Sequence, residues 1–224
     1  MKISTETLNI LKLFSTINGG IKIDAGSEIF TKPETGTMVG HVKVSEEFPK
    51  TFITTDLQRF LATVSLFEEP EFEFSDEYVT ISSSDGKSNT RFFYCNEALV
   101  RQPNKLPKPQ PEVAISFELT KDAIQKLFKS LAVIGVNYVK VEAKEGKVIV
   151  SATEKNAVTA NCFSIELCDC DPSVECVFFF KKNNLKVDTS YDYDVEISTT
   201  GLGKFVSKGS PFEELEFYIV TEQN

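Results

Sequence analysis

Residues 96–113 read NEALVRQPNKLPKPQPEV. This stretch holds four of the chain's nine prolines: Pro103, Pro107, Pro109 and Pro111. Each proline fixes the backbone angle φ, removes an amide donor and pushes the preceding residue toward extended geometry. Helices and central strands do not tolerate this spacing, so we predict a semi-rigid, extended connector over residues 96–112. The chain on either side is long enough for two domains, predicted at residues 1–95 and 113–224.

Apolar residues at helical spacing predict helices at matching places in the two halves. In the first half we predict helices over residues 5–18 and 56–67, the second one capped by Asp56. In the second half Thr120 caps a predicted helix over residues 121–133.

The two halves also share a tripeptide. Lys12-Leu13-Phe14 and Lys126-Leu127-Phe128 occupy the same place in the first helix of each half. At the place of the second helix of the second half stand only residues 181–186, which allow a single turn or a short helix. We interpret the pattern as an internal duplication with a shortened second helix in the second copy.

Short alternating runs bounded by turn residues predict about seven or eight strands in each half. In the first half they cover residues 21–24, 28–32, 39–44, 50–54, 71–75, 78–83 and 90–94. In the second half they cover residues 114–119, 138–143, 148–152, 162–167, 176–180, 194–199, 204–208 and 215–221. Most are joined by hairpin signals, so we expect an α+β fold of two similar domains, each with two helices packed on antiparallel sheets.

The distribution of charge points in two directions. A formal net charge of −9 argues against a protein that binds nucleic acid over its whole surface. Cations nevertheless gather on the outward faces of the predicted helices, where Glu6 and Asp122 are the acidic residues. These cations are Lys12, Arg59, Lys126, Lys129, Lys181, Lys182 and Lys186. They form either ordinary solvated helix faces or a surface that meets DNA phosphates without reading the base sequence.

No motif for catalysis or metal binding stands out. The sequence has no P-loop, no G-x-S-x-G and no H-E-x-x-H, and its single histidine, His41, excludes a histidine metal cluster. The spacing of the five cysteines matches no common zinc pattern, which favours reduced thiols: Cys95, Cys162, Cys168, Cys170 and Cys176. We therefore predict a protein that is not an enzyme and needs no metal or cofactor.

Two alternatives remain open. One is a β-rich interaction or assembly module that does not bind DNA, and the other is a small enzyme that uses acidic residues, with or without a metal. The sequence shows no membrane-spanning apolar run and does not open with a signal peptide, so we predict a cytoplasmic protein.

Short segments spread collinearly along the chain carry a resemblance to a known family. They are Met1-Lys2-Ile3-Ser4, Leu11-Lys12 with Phe14, Thr16-Ile17-Asn18, Gly20-Ile21, Asp56-Leu57, Phe60-Leu61, Ser65-Leu66, the proline-spaced residues 103–109, and Lys144-Glu145-Gly146-Lys147 before Val148-Ile149. Over nearly the whole chain the sequence resembles the DNA polymerase sliding clamp, or processivity factor, of T4-type bacteriophages. The loop at residues 168–172 and the tail at residues 221–224 depart from the family pattern.

The resemblance implies a ring-forming homotrimer that encircles duplex DNA, with the helices lining the hole and the cations named above facing the DNA. It implies a partner-peptide pocket built from Met38, Leu106, Pro107, Tyr218 and Val220. It also implies these partners: the C-terminal peptide of the DNA polymerase, an ATPase clamp loader and late-transcription factors. If the protein is phage-encoded, its location is the host cell cytoplasm.

Overall fold

The computed structural model describes residues 1–103, 105–108, 112–157 and 159–222. These residues divide into two units, the first formed by residues 1–106 with 211–215 and the second by residues 107–210 with 216–224. Residues 104 and 109–111 of the predicted connector, with Pro109 and Pro111, lie outside the described residues, and so do residues 223–224 of the tail. The predicted domain limits stay a prediction.

The first unit combines two helices with antiparallel strand pairs. Its helices are α1 (Thr5–Ile17) and α2 (Leu57–Val64). Its strands are β1 (Ile21–Ile23), β2 (Gly26–Thr31), β3 (Met38–Phe48), β4 (Phe52–Thr54), β5 (Glu71–Phe74), β6 (Tyr78–Ser82) and β7 (Asn89–Phe93). Strand β1 pairs with β4, β2 pairs with β3, and β5, β6 and β7 form a three-stranded sheet, all antiparallel. A 3-10 turn follows at Glu97–Leu99.

The second unit has one long helix and two antiparallel sheets. The helix is α3 (Lys121–Val133). The strands are β8 (Val113–Leu119), β9 (Tyr138–Lys144), β10 (Lys147–Thr153), β11 (Phe163–Asp169), β12 (Cys176–Lys181), β13 (Asp192–Ser198), β14 (Leu202–Lys208) and β15 (Glu214–Val220), of which β15 begins in the first unit. The strand orders are β11-β10-β9-β12 and β15-β14-β13-β8. The short second helix predicted at residues 181–186 is a 3-10 turn, Lys182–Asn184.

Side-chain caps set where the helices begin. The Ser4 hydroxyl accepts a hydrogen bond from the Thr7 amide at 3.1 Å, and the Asp56 carboxylate accepts one from the Arg59 amide at 2.9 Å. The Thr120 hydroxyl caps α3 in the same way. Each cap satisfies an amide that has no partner inside its helix, so the three predicted starts are confirmed.

The second helix ends earlier than predicted. We expected it to reach residue 67, but α2 stops at Val64. Beyond it the Ser65 hydroxyl donates to the Ala62 carbonyl at 2.7 Å, and the Phe67 amide donates to the Val64 carbonyl at 3.1 Å. These bonds to residues three positions back tighten the chain into a 3-10-like turn.

Phenylalanine rings fill the core beneath the helices. In the first unit the buried Phe60 of α2 lies 4.5 Å from the ring of Phe52 and 5.2 Å from that of Phe92. In the second unit Phe180 and Phe205 pack edge to face at 5.7 Å. Such cores bury a helix by one face and leave the other face in water. Within the described ranges, no helix is long and apolar enough to cross a membrane.

Candidate nucleic-acid interface

Helices α1 and α2 lie side by side in the first unit and expose one cation each. Leu11 and Phe14 bury the inner face of α1, whereas Lys12 is exposed. The Leu57 amide donates to the Gly19 carbonyl at 2.7 Å, which joins the start of α2 to the chain that leaves α1. Phe60 then buries the inner face of α2 and Arg59 is left exposed.

Helix α3 repeats this arrangement in the second unit with two cations. Ile124, Leu127 and Leu131 are buried and pack toward β9 and β10. Lys126 and Lys129 are exposed, and residues three positions apart lie on the same side of a helix. Lys12 and Lys126 are both exposed, but the prediction that the two tripeptides occupy the same place is wrong. Lys12 is the eighth residue of α1 and Lys126 the sixth of α3, so Phe14 is buried in the first copy whereas Leu127 is buried in the second.

The three remaining predicted cations lie at and after the end of β12. Lys181 is exposed, whereas Lys182 and Lys186 are half-buried. The Lys182 amide donates to the Asn137 carbonyl at 2.8 Å, which fixes the turn against the chain before β9. A side-chain bond from Gln125 to the Thr189 carbonyl, 3.0 Å long, ties α3 to the segment that follows the turn. The segment that follows β12 is therefore hydrogen-bonded to α3.

Lysines on strands are mostly neutralised by carboxylates. Lys147 lies 2.7 Å from Asp169 and 2.8 Å from Glu166, and hydrogen bonds to these two carboxylates raise the pKa of Lys147. The other lysines that lie on or next to strands and form salt bridges are Lys22, Lys43, Lys50, Lys140, Lys144, Lys204 and Lys208.

Helix cations behave differently. Among the residues that the structure describes, Lys12, Arg59, Lys126 and Lys129 form no salt bridge. Their charge is therefore not cancelled by a close carboxylate, although the helices also carry exposed acidic residues in their first turns, such as Glu6 and Asp122. The exposed helix surfaces of this acidic chain therefore carry uncancelled positive charge.

Sequence reasoning missed one further helix cation. Lys121 is the first residue of α3 and is exposed. The signal was present in the sequence, because Thr120 was predicted as the cap and the next residue must then lie in the exposed first turn.

The residues of the predicted peptide pocket are distributed over both units. Met38 and Leu106 belong to the first unit, and Pro107, Tyr218 and Val220 to the second. Met38 and Tyr218 are buried, Leu106 and Pro107 are half-buried and Val220 is exposed.

Tyr218 lines a pocket of about 140 Å³ in the second unit. Val113, Leu202 and Lys204 also line it, and the Lys204 ammonium lies 5.9 Å from the centre of the Tyr218 ring. The Tyr218 hydroxyl donates to Glu216 at 2.9 Å, and Lys204 pairs with the same carboxylate at 3.3 Å. The sequence did not predict Val113, Leu202 or Lys204 here, because only strand pairing brings them next to Tyr218.

The described part of the chain contains no group of three or more His, Cys, Asp or Glu residues arranged to hold a metal ion. All five cysteines are free. The single histidine, His41, is buried and stacks on Phe30 with ring centres 4.6 Å apart, and its Nδ1 lies 3.8 Å from a carboxylate oxygen of Glu214.

Comparisons with known proteins agree on one family. The family model described as "gp45 sliding clamp, C terminal" matches residues 116–223. The chain is 30% identical to a protein named sliding clamp from Vibrio phage KVP40, over 99% of both chains. It is 27% identical to the sliding clamp of Enterobacteria phage T4, over 84% of this chain and 83% of that protein. The sliding clamp of Escherichia phage RB69 is 24% identical over 99% of this chain and 97% of its own length.

Solved structures with the same fold are more distant in sequence. Proliferating cellular nuclear antigen (PCNA) from Entamoeba histolytica superposes with a TM-score of 0.70 at 12% identity, over 96% of this chain and 94% of that one. PCNA of A. fulgidus, solved with the C-terminal region of FEN-1 bound, gives the same TM-score and identity over 97% and 95%. These likenesses confirm the predicted α+β fold, in which few helices pack on antiparallel sheets.

Proposed function

The chain belongs to the sliding clamp family of T4-type bacteriophages, and from this premise we propose that it encircles duplex DNA as a homotrimeric ring and tethers the replicative DNA polymerase. The observation that carries the proposal is the contrast in charge pairing. Most lysines on the strands form salt bridges with carboxylates, whereas Lys12, Arg59, Lys126 and Lys129 on the helices are exposed and form no salt bridge among the described residues.

Positive charge of this kind suits contact with the DNA backbone. Phosphates attract lysine and arginine regardless of base sequence, and this attraction weakens as salt rises. We assign Lys12, Arg59, Lys126 and Lys129 to the DNA-facing surface, and add Lys181, Lys182 and Lys186 from the segment that follows β12. A contact that does not depend on base sequence lets the ring move along the duplex, and retention comes from encirclement rather than from affinity. The role requires no catalytic group.

Ring closure needs surfaces that join one chain to the next, and two edge strands supply candidates. Strand β7 lies at the edge of its sheet, and Phe93 on it is 63% exposed. Strand β11 lies at the edge of another sheet and begins with the exposed Phe163. Edge strands expose backbone donors and acceptors that a strand of another chain can pair with. Pairing of β7 with β11 of a second copy would repeat head to tail and close into a ring.

The oligomeric state can be measured directly. Light scattering over a wide range of protein concentration should give a molar mass near three times the chain mass of 25.1 kDa, with a decrease on dilution. Replacing Arg91 and Phe93 of β7 together by proline removes two backbone donors that face away from β6, and should lower the mass toward that of a single chain. A wild-type protein that stays monomeric at high concentration would contradict the ring.

We further propose that Met38, Leu106, Pro107, Tyr218 and Val220 belong to the site that takes the C-terminal peptide of the polymerase. Support comes from the pocket beside Tyr218, whose ring, together with Leu202 and Val113, offers apolar contacts, while Lys204 adds a cation. The A. fulgidus relative in fold was solved with a C-terminal region of FEN-1. Leu202→Glu should weaken binding of a fluorescent polymerase peptide by at least about tenfold through the cost of an unpaired charge. Unchanged affinity would remove Leu202 from the site.

The remaining partner assignments follow the family. We propose that an ATPase clamp loader opens and closes the ring, and that late-transcription factors use the ring as a mobile tether. We also propose that the domains are residues 1–95 and 113–224, joined by the connector at residues 96–112.

A further inference from the structure

The start of the connector is held firmly against the first unit. The Gln102 side chain accepts a hydrogen bond from the Lys22 amide at 3.1 Å and donates one to the Gly20 carbonyl at 3.4 Å. The Gln102 side chain thus forms hydrogen bonds with the backbone at the start of β1, as a neighbouring strand would. Lys22 also forms a salt bridge of 2.5 Å with Glu97, in the turn that precedes the connector. These contacts attach the segment to β1 and the residues before it.

The start of the connector also packs closely against the first unit through Val100. Val100 is buried, and a Cβ atom added to Gly20 would lie 3.4 Å from Val100 Cγ2 and 3.3 Å from the Thr54 carbonyl oxygen. Glycine at this position therefore lets the connector approach β1 and β4 closely. A side chain there would push the connector outward and change the surface beside it.

Beside this fixed segment lies an open cleft of about 890 Å³, contained in the first unit. It is lined by residues 18–20, which follow α1, by the chain after β2 and by the connector. Its side chains include Lys32, Glu34, Leu99 and Arg101, and Leu99 is 67% exposed. Leu99 therefore offers the cleft an apolar contact alongside its two cations.

The cleft carries positive charge that is not cancelled locally. In the described ranges of the chain, neither Lys32 nor Arg101 forms a salt bridge, although Glu34 lies at the same cleft. The Lys32 carbonyl accepts a hydrogen bond from the Asn18 side chain at 2.9 Å, so the backbone that carries this lysine is fixed to the end of α1. Arginine binds carboxylates with paired hydrogen bonds, which gives both affinity and orientation.

We propose that this cleft binds a short acidic peptide segment of a partner protein, with carboxylates on Lys32 and Arg101 and an apolar side chain on Leu99. Charge complementarity favours this occupant, because a chain of net charge −9 attracts an acidic segment only where cations are concentrated. The exposed Leu99 favours a peptide, which can supply an apolar side chain, over a row of phosphates. The cleft shares no residue with the peptide pocket assigned to Tyr218, and the proposal does not depend on DNA encirclement.

The test uses a displayed library of random peptides. The full chain is the bait, and the variant Lys32→Glu with Arg101→Glu is the counter-selection target. The enriched peptides should contain Asp or Glu next to Leu or Phe. The most enriched one is then synthesised with a fluorescent label, and its affinity is measured by anisotropy.

The peptide should bind the double variant at least about tenfold more weakly than the wild type. Arg101→Glu alone should give part of this loss, and it covers the case in which the double variant is unstable. The matched variant Lys87→Glu with Lys144→Glu makes the same change in net charge at two hairpin turns and should bind like the wild type.

Three results would overturn the proposal: no acidic enrichment, equal binding to the wild type and the Arg101→Glu variant, or an equal loss in the matched variant. Measurements of ring mass and DNA retention on the same variants are independent of the peptide, so a failure here is distinguishable from a failure of the clamp proposal.

Discussion

Reversing the charges on α3 tests the DNA-facing assignment most sharply. Lys126→Glu with Lys129→Glu changes the net charge by about four units per chain at exposed positions with no salt bridge to break among the described residues. Each lost phosphate contact lowers the salt dependence of log K by about 0.9, so two contacts account for a slope of about 1.8. Between about 50 and 200 mM salt, these two contacts account for a roughly tenfold loss of DNA affinity per chain, and the double variant should lack this part of the salt dependence.

The assay is primer extension by the cognate polymerase in the presence of its clamp loader, with product length as the readout. We expect the double variant to lose the long products that the wild-type clamp supports. Its free energy of unfolding should stay within about 0.5 kcal/mol of the wild type, because exposed substitutions away from packing and pairing cost little. The variant Lys87→Glu with Lys144→Glu has the same net charge and should support long products.

Either of two results would refute the reasoning. Long products from the Lys126→Glu, Lys129→Glu variant would show that α3 does not face the DNA. An equal loss in the matched turn variant would show that net charge, rather than charge on the helices, is what matters.

Three further predictions concern the packing that positions the helices. Phe60→Ala in α2 should lower the free energy of unfolding by about 3–5 kcal/mol, since a buried ring is lost from a cluster of aromatic side chains; a loss below 1 kcal/mol in urea titrations would contradict this. Gly203→Ala places a Cβ 2.8 Å from the buried ring of Phe180, so calorimetry should show a lower Tm and a cost of about 1–3 kcal/mol, and an unchanged Tm would contradict the contact. Burial opposes ionisation of Glu46, but hydrogen bonds from the amide and hydroxyl of Ser4 outweigh it and hold the pKa of Glu46 below its usual value, so the stabilisation is present at neutral pH and is lost as pH falls through the lowered pKa. Glu46→Gln should therefore unfold at lower urea than the wild type at pH 7, the difference should shrink below about pH 4, and an equal difference at both pH values would count against this explanation.

Local signals were enough to predict the helices and most strands. Ser4, Asp56 and Thr120 each carry a side-chain oxygen that accepts a hydrogen bond from an amide in the first turn of the helix, so the three helix starts could be located from the sequence. The end of α2 could not, because the apolar pattern continues through Leu66 and Phe67 while the chain tightens into a turn after Val64. The exposed Leu66 follows the helical pattern without contributing to a core.

The sequence was enough to predict exposed cations on the helices. It was not enough to predict that most strand lysines form salt bridges whereas the helix cations do not. Spacing alone indicates that Lys12 and Lys126 are exposed. Whether a strand lysine is neutralised depends on which strand lies next to it. Lys147 meets Glu166 only because β10 pairs with β11, about twenty residues along the chain. The unpaired character of the helix cations becomes visible only when those partners are known.

The cleft beside the connector was also beyond sequence reasoning. Prolines predicted an extended connector over residues 96–112. The structure instead has a 3-10 turn at Glu97–Leu99, and Val100 after it has extended backbone. The attachment of the connector, however, depends on Gln102 bonding to backbone groups at Gly20 and Lys22, some eighty residues earlier. No local pattern encodes a side chain that substitutes for a strand. That attachment is what places the exposed Leu99 and Arg101 at the cleft.

Retention on circular DNA tests the central claim most directly. The protein is loaded onto a nicked circular plasmid by its clamp loader with ATP, washed at a salt concentration that abolishes ordinary phosphate contacts, and separated by gel filtration before and after the plasmid is cut once. Encirclement predicts that the protein stays with the circle through the wash and leaves once the DNA has free ends. Loss from the intact circle, or equal retention on circular and cut DNA, would contradict the account.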